Sequence, residues 1–92
     1  MEREDALVGT LRGEITANDT TIVEAVNARL ELVRRLKQHK DEVGLDFVDP
    51  EREARLLAVL AASNRGPLSP EGLEELVTAL LALTKRELGR EG

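Results

Sequence analysis

An all-α fold of three helices follows from three properties of this 92-residue sequence. Apolar residues recur at spacings of three and four through three separate stretches, the period of a helix with one buried face. Aromatic residues are nearly absent: Phe47 stands alone, without Trp or Tyr. The core must therefore be Leu, Val, Ile and Ala, which suits helix packing better than a sheet. Twice, a capping side chain is followed by proline and an acid, in Asp49-Pro50-Glu51 and Ser69-Pro70-Glu71, the chemistry of a helix start.

The first helix is expected over residues 11–40, one long helix beside two shorter ones. Ile22, Val26, Val33 and Leu36 stack along one side of it. Two cations share that side: at about 100° per residue, Arg29 lies about 20° from the axis set by Ile22, and Lys40 falls almost on it. An amphipathic helix normally keeps Arg and Lys on its wet face, so two cations in the dry seam point to an anion. Such a helix is roughly 45 Å long at ~1.5 Å per residue, whereas a compact chain of this size has a radius of gyration of only about 12 Å. It would overhang its own domain and leave apolar stripe in water. A second copy of the chain resolves this, so an intertwined helical homodimer is expected. Within the helix, residues 16–21 (TANDTT) set propensity against period. Thr, Asn and Asp favour caps, yet Leu11, Ile15, Asn18 and Ile22 hold a 4-3-4 spacing through the segment, and continuity is expected. Residues 1–9 are charged and weakly patterned, a frayed lead-in with partial helix.

After Lys40, DEVGLDFV contains Gly44 and no sustained period, and reads as a loop. The second helix starts at Asp49-Pro50-Glu51. Its face is read as Leu56 and Val59 with Leu60 flanking, shared by Arg52 and continued by Ser63. Asn64-Arg65-Gly66-Pro67 ends it. The third helix, from Ser69-Pro70-Glu71, carries Leu73, Leu76, Val77, Leu80 and Thr84 in its stripe, with Leu83 and Leu88 flanking. Residues 89–92 form a tail. The whole chain, 1–92, reads as a single helical domain without internal repeats.

Composition excludes several functions. There is no Cys, so disulfides and thiolate metal sites are ruled out, and one His, His39, cannot build a zinc site without several carboxylates. Net charge is −5 with a pI near 4.9, and there is no basic stripe or aromatic platform, which disfavours diffuse nucleic-acid binding. No apolar run approaches the ~18 residues of a membrane span, and the charged start MEREDALVG lacks a signal-peptide core. A cytoplasmic location is expected. Because the global charge repels small anions, an anion site must be a local cluster of cations whose field is focused by low-dielectric walls.

Arg29, Lys40 and Arg52 form that candidate cluster, each within an apolar face. The plain alternative is that they snorkel at the bundle edge or pair with acids such as Glu53 or Asp49. Burying unpaired cations costs several kcal/mol each, which favours a ligand that neutralises them. Arg29 and Lys40 are ~16 Å apart along the helix axis, so they meet one ligand only if their side chains lean together.

The pattern L-R-x-x-I…D at residues 11–19, A-R-x-x-L at 28–32, Lys40, and D-P-x-R-E at 49–53 resembles the all-helical chorismate mutase family. The resemblance spans residue 11 to about residue 88. The short chain and the ending L-x-x-x-x-L-G, Leu83 to Gly89, look most like the actinobacterial branch. What the resemblance implies is a homodimer of three-helix protomers converting chorismate to prephenate without metal or cofactor. It also implies the residue roles. Arg12 reaches into the partner's site, while Arg29 and Arg52 bind the substrate carboxylates. Lys40 donates to the ether oxygen, and Glu53 with the backbone at Asp49 holds the ring hydroxyl. Thr84 stands in for a family Ser near a carboxylate. Many members place a Gln four residues after that Ser as a second donor to the ether oxygen. Here Leu88 occupies the position and cannot donate, and Glu87 lies one residue early. Members of that branch are often boosted by complex formation with the shikimate-pathway DAHP synthase, for which the tail LGREG is a candidate docking element. An isochorismate-pyruvate lyase, with a similar fold and cation set, and a non-enzymatic helical partner-binding module remain as alternatives.

Overall fold

The computed structural model describes residues 2–46 and 49–90; Phe47 and the last two residues of the expected tail lie outside the described residues. Three helices follow in order: α1, Glu2–Val43; α2, Pro50–Ser63; and α3, Pro70–Gly89. Their start and stop points rest on local chemistry.

α1 is continuous through 42 residues, including the TANDTT segment. Threonine survives there because its hydroxyl bonds back to the preceding turn: Thr20 donates to the Thr16 carbonyl at 3.0 Å and Thr21 to the Ala17 carbonyl at 3.2 Å. The helix starts earlier and ends later than the 11–40 expected from sequence. Its end is a glycine-terminated cap. Gly44 adopts φ 75°, its N–H meets the Asp41 carbonyl at 3.4 Å, and the Leu45 N–H meets the Lys40 carbonyl at 2.8 Å. The expected loop therefore opens at Gly44 and not directly after Lys40.

α2 and α3 begin as the two capping motifs require. The Asp49 carboxylate accepts from the Arg52 N–H at 3.2 Å, and the Ser69 hydroxyl oxygen accepts from the Gly72 N–H at 3.0 Å. Between them, Asn64 ties the connection at both ends of its amide. Its Oδ1 accepts from Gly66 N–H at 3.0 Å and its Nδ2 donates to the Leu68 carbonyl at 2.9 Å, around a Gly66 at φ 75° that a side chain would strain. Ser69→Ala removes the one side-chain acceptor at the α3 start. It is expected to cost about 1 kcal/mol, read as a lower urea midpoint at unchanged slope. An unshifted midpoint would mean the cap contributes nothing.

The chain forms two compact units, Met1–Leu32 and Val33–Gly92. In the first, α1 runs alone, and the side chains of residues 5–25 are all exposed, including Leu7, Leu11, Ile15, Ile22 and Val23; Val26, Arg29 and Leu30 are half-buried. In the second, α2 packs on α3. The buried apolar side chains among the described residues are Leu73, Val77 and Leu88, all on α3, with Thr84 buried in the same stripe.

Each helix turns a somewhat different face inward than its apolar residues alone suggest. On α3 the stripe runs between Val77 and Thr84, which leaves Leu76 about 90° away and exposed and brings Leu88 into the core. On α2 the half-buried residues are Glu53, Leu56, Leu57, Leu60 and Asn64, an axis rotated by about 70° from the expected one. Val59, Ser63 and Arg52 are exposed as a result. The reason is that Glu53 and Asn64, polar residues that look solvent-facing, each have bonding partners on the inner side or in the adjoining turn.

Candidate active site

The expected α1 seam is rotated by about 40°, so that Ile22 and Leu36 are exposed. In the second unit its half-buried residues are Val33, Arg34, Lys37 and Lys40. In the first unit they are Val26, Arg29 and Leu30, and Arg12 is exposed. Arg29 is thus half-buried in the first unit and Lys40 in the second. Arg34 and Lys37 of the second unit are half-buried as well, and sequence reasoning missed both. The signal was present, since both continue the three-and-four spacing from Val26, but charged residues were counted as wet by default. Their aliphatic stems can cover apolar surface while the charged heads reach polar partners, which is what allows a helix to bury such a side.

Lys40 stands in the last turn of α1, where a cation is favoured by the helix dipole. Its carbonyl, as described, closes the glycine cap, so the backbone from which this side chain springs is fixed independently of the ammonium group.

At the start of α2, Asp49 is half-buried and uses its carboxylate as the helix cap. Arg52, whose N–H that cap satisfies, is exposed. It lies about 100° around the helix from the inward axis and is not packed against it. Glu53 faces inward, and its backbone N–H donates to the Asp49 carbonyl at 3.1 Å. Its Oε1 meets Lys85 Nζ of α3 at 3.0 Å. Side-chain exposure is 29% for Glu53 and 46% for Lys85. Lys85 is the third residue absent from the sequence-level candidates. Its position beside Thr84 gave no hint that it would cross to α2.

On α3, Thr84 is 4% exposed and its hydroxyl donates to the Leu80 carbonyl at 2.7 Å. A threonine has one O–H, so towards any further group this oxygen is an acceptor until that bond is released. Glu87 is half-buried and paired with Arg90 at 2.8 Å. Leu88, at 3% exposure, is part of the core. Of the α3 candidates, Thr84 is thus a back-bonded hydroxyl, Glu87 a paired carboxylate and Leu88 a buried leucine, with Lys85 the cation beside them that pairs with Glu53.

A shallow groove lies elsewhere, on the outer face of α3, lined by Glu71, Glu74, Glu75, Thr78, Ala79 and Ala82. It presents carboxylates and methyl groups and no cation among these residues, so its chemistry does not suit an anion. The cation-bearing side carries more weight than this concavity. Among the described residues, no group of His, Asp or Glu is arranged to hold a metal ion. No described helix is long and apolar enough to cross a membrane.

The family profile of chorismate mutase type II matches residues 11–87 of the chain. Among solved structures, the chorismate mutase (form II) from Thermus thermophilus is similar over 90% of this chain and 94% of that one, with 29% sequence identity and a TM-score of 0.85. No curated protein sequence matches.

Proposed function

Because this chain belongs to the chorismate mutase type II family, we propose that it is an isomerase converting chorismate to prephenate, a step towards phenylalanine and tyrosine. The observation that carries this reading is the half-buried cationic side of α1 in the second unit, Arg34, Lys37 and Lys40, in a chain whose net charge is −5. A dianionic substrate is the kind of guest that such a side accommodates.

The rearrangement is pericyclic: the ether C–O bond breaks as a new C–C bond forms in one cyclic transition state. No nucleophile, proton relay or redox group is required of the protein. Its task is to hold a flexible dianion in a compact chair-like conformer and to stabilise charge developing on the ether oxygen. Arg29 and Arg52 clamp the carboxylates, an orientation effect. Lys40 donates to the ether oxygen as a preorganised cation. Glu53, with the backbone at Asp49, holds the ring hydroxyl. Thr84 contributes near a carboxylate once its hydroxyl turns from Leu80. Glu87, held by Arg90, is a poor substitute for the second ether-oxygen donor, and Leu88 supplies none.

Two assembly proposals accompany this reading. The exposed apolar residues of α1 in the first unit are covered by a second copy of the chain, forming a homodimer in which Arg12 serves the partner's site. The thin donor set on α3 leaves stand-alone turnover low, and a complex with DAHP synthase raises it. The reaction is placed in the cytoplasm.

The test is chorismate consumption by the purified chain, with and without the cognate synthase, and with isochorismate as competing substrate. Prephenate as the product supports the reading. Pyruvate release from isochorismate alone would replace it with the lyase, and turnover of neither substrate under both conditions would leave a partner-binding module.

A further inference from the structure

We infer that Lys85 is a positioning residue for the reaction, acting through Glu53; the inference rests on the reading that Glu53 holds the substrate's ring hydroxyl. Lys85 Nζ lies 3.0 Å from Glu53 Oε1 and joins α3 to α2 across the face where the two helices pack. Thr84 donates to Leu80 and Glu87 pairs with Arg90, while Leu88 is apolar and buried.

Two physical consequences follow for Glu53. A glutamate carboxylate swings on three torsions, and a charge-assisted hydrogen bond to one oxygen restricts it. With Oε1 held by Lys85, Oε2 is the oxygen presented to a hydroxyl donor. The ammonium also offsets a negative charge that would otherwise oppose a dianionic substrate within a few ångströms.

The pair is only partly shielded from water, and exposed ion pairs contribute little to folding. A role in stability alone would therefore leave small traces, whereas a role in aligning Glu53 should appear in the kinetics. This contrast makes the inference testable.

Lys85→Met keeps the aliphatic stem and removes the charge; Lys85→Arg keeps the charge. In the Met variant kcat/KM is expected to fall by about 10- to 100-fold, the scale of a misplaced orienting group, with the thermal midpoint unchanged. The Arg variant should recover most of the loss. In a Glu53→Gln background the same Lys85→Met change should have little further effect, because the group it orients no longer carries the charge. Unaltered kinetics in Lys85→Met, or an undiminished loss in the Glu53→Gln background, would overturn the inference. So would a loss of activity that follows only a loss of thermal stability. The parent chain assayed alongside, with and without the synthase, separates the two levels: an active parent with an indifferent Lys85 removes this inference alone, and a parent inactive under both conditions removes the functional reading and the inference together.

Discussion

Lys40→Ala should slow prephenate formation by about 10²- to 10³-fold, the usual cost of removing a donor aimed at charge that develops in the transition state. The fold should survive. Lys40 closes the end of α1 through its backbone carbonyl, bonded to the Leu45 N–H at 2.8 Å, and alanine retains that carbonyl and the helix propensity. The lysine is half-buried, so the change removes a half-buried cation while leaving the backbone cap in place. Far-ultraviolet circular dichroism should be superimposable on that of the parent. The deficit should lie mainly in kcat, since an interaction with the ether oxygen strengthens as the C–O bond breaks. Near-normal turnover by this variant would remove Lys40 from the mechanism and with it the main support for charge stabilisation at α1.

The second large effect concerns assembly. Only Leu73, Val77 and Leu88 are buried apolar side chains among the described residues, whereas Leu11, Ile15, Ile22 and Val23 of α1 are exposed. A core of that size is small for a chain of 92 residues. If a second copy covers α1, stability must depend on protein concentration, because dissociation and unfolding are then linked. The thermal midpoint should rise on concentrating the sample. Ile15→Asp should weaken the dimer strongly. Burying an isoleucine is worth ~1.5–3 kcal/mol, and two-fold symmetry counts the substitution twice, so the dissociation constant should increase by about 10²- to 10⁴-fold. Size-exclusion chromatography with light scattering reads this directly. Activity should fall with the dimer, because Arg12 is then withdrawn from the partner's site. A chain that runs as a monomer with a concentration-independent midpoint would refute the covered face.

Helix existence and most helix ends were legible in the sequence because they are short-range matters. Asp49-Pro50 and Ser69-Pro70 start helices through bonds to residues three positions on, and Gly44 and Asn64-Arg65-Gly66 end them through equally local geometry. The continuity of α1 across TANDTT was also readable, from the 4-3-4 apolar period, although the mechanism, threonine hydroxyls bonding back one turn, needed coordinates. The candidate residues Arg29, Lys40 and Glu53 could be named from spacing and family resemblance. Lys85 could not, since nothing in a string of residues distinguishes a lysine that bridges two helices from one that trails in water; Arg34 and Lys37 continue the three-and-four spacing from Val26 and were passed over as charged residues.

The sequence by itself determined that this chain is helical, where α2 and α3 begin, that it is acidic overall, and which family pattern it carries. Each of these depends on a residue and its near neighbours along the chain. The tertiary structure decided which way each helix is rolled: Glu53 and Leu88 inward, Arg52, Val59 and Leu76 outward. A rotation of a few tens of degrees changes no local bond, and it is selected by how α2 and α3 meet. The pairing of Glu53 with Lys85 exists only after that choice, because it joins residues that are distant in the chain and adjacent only once the helices have packed.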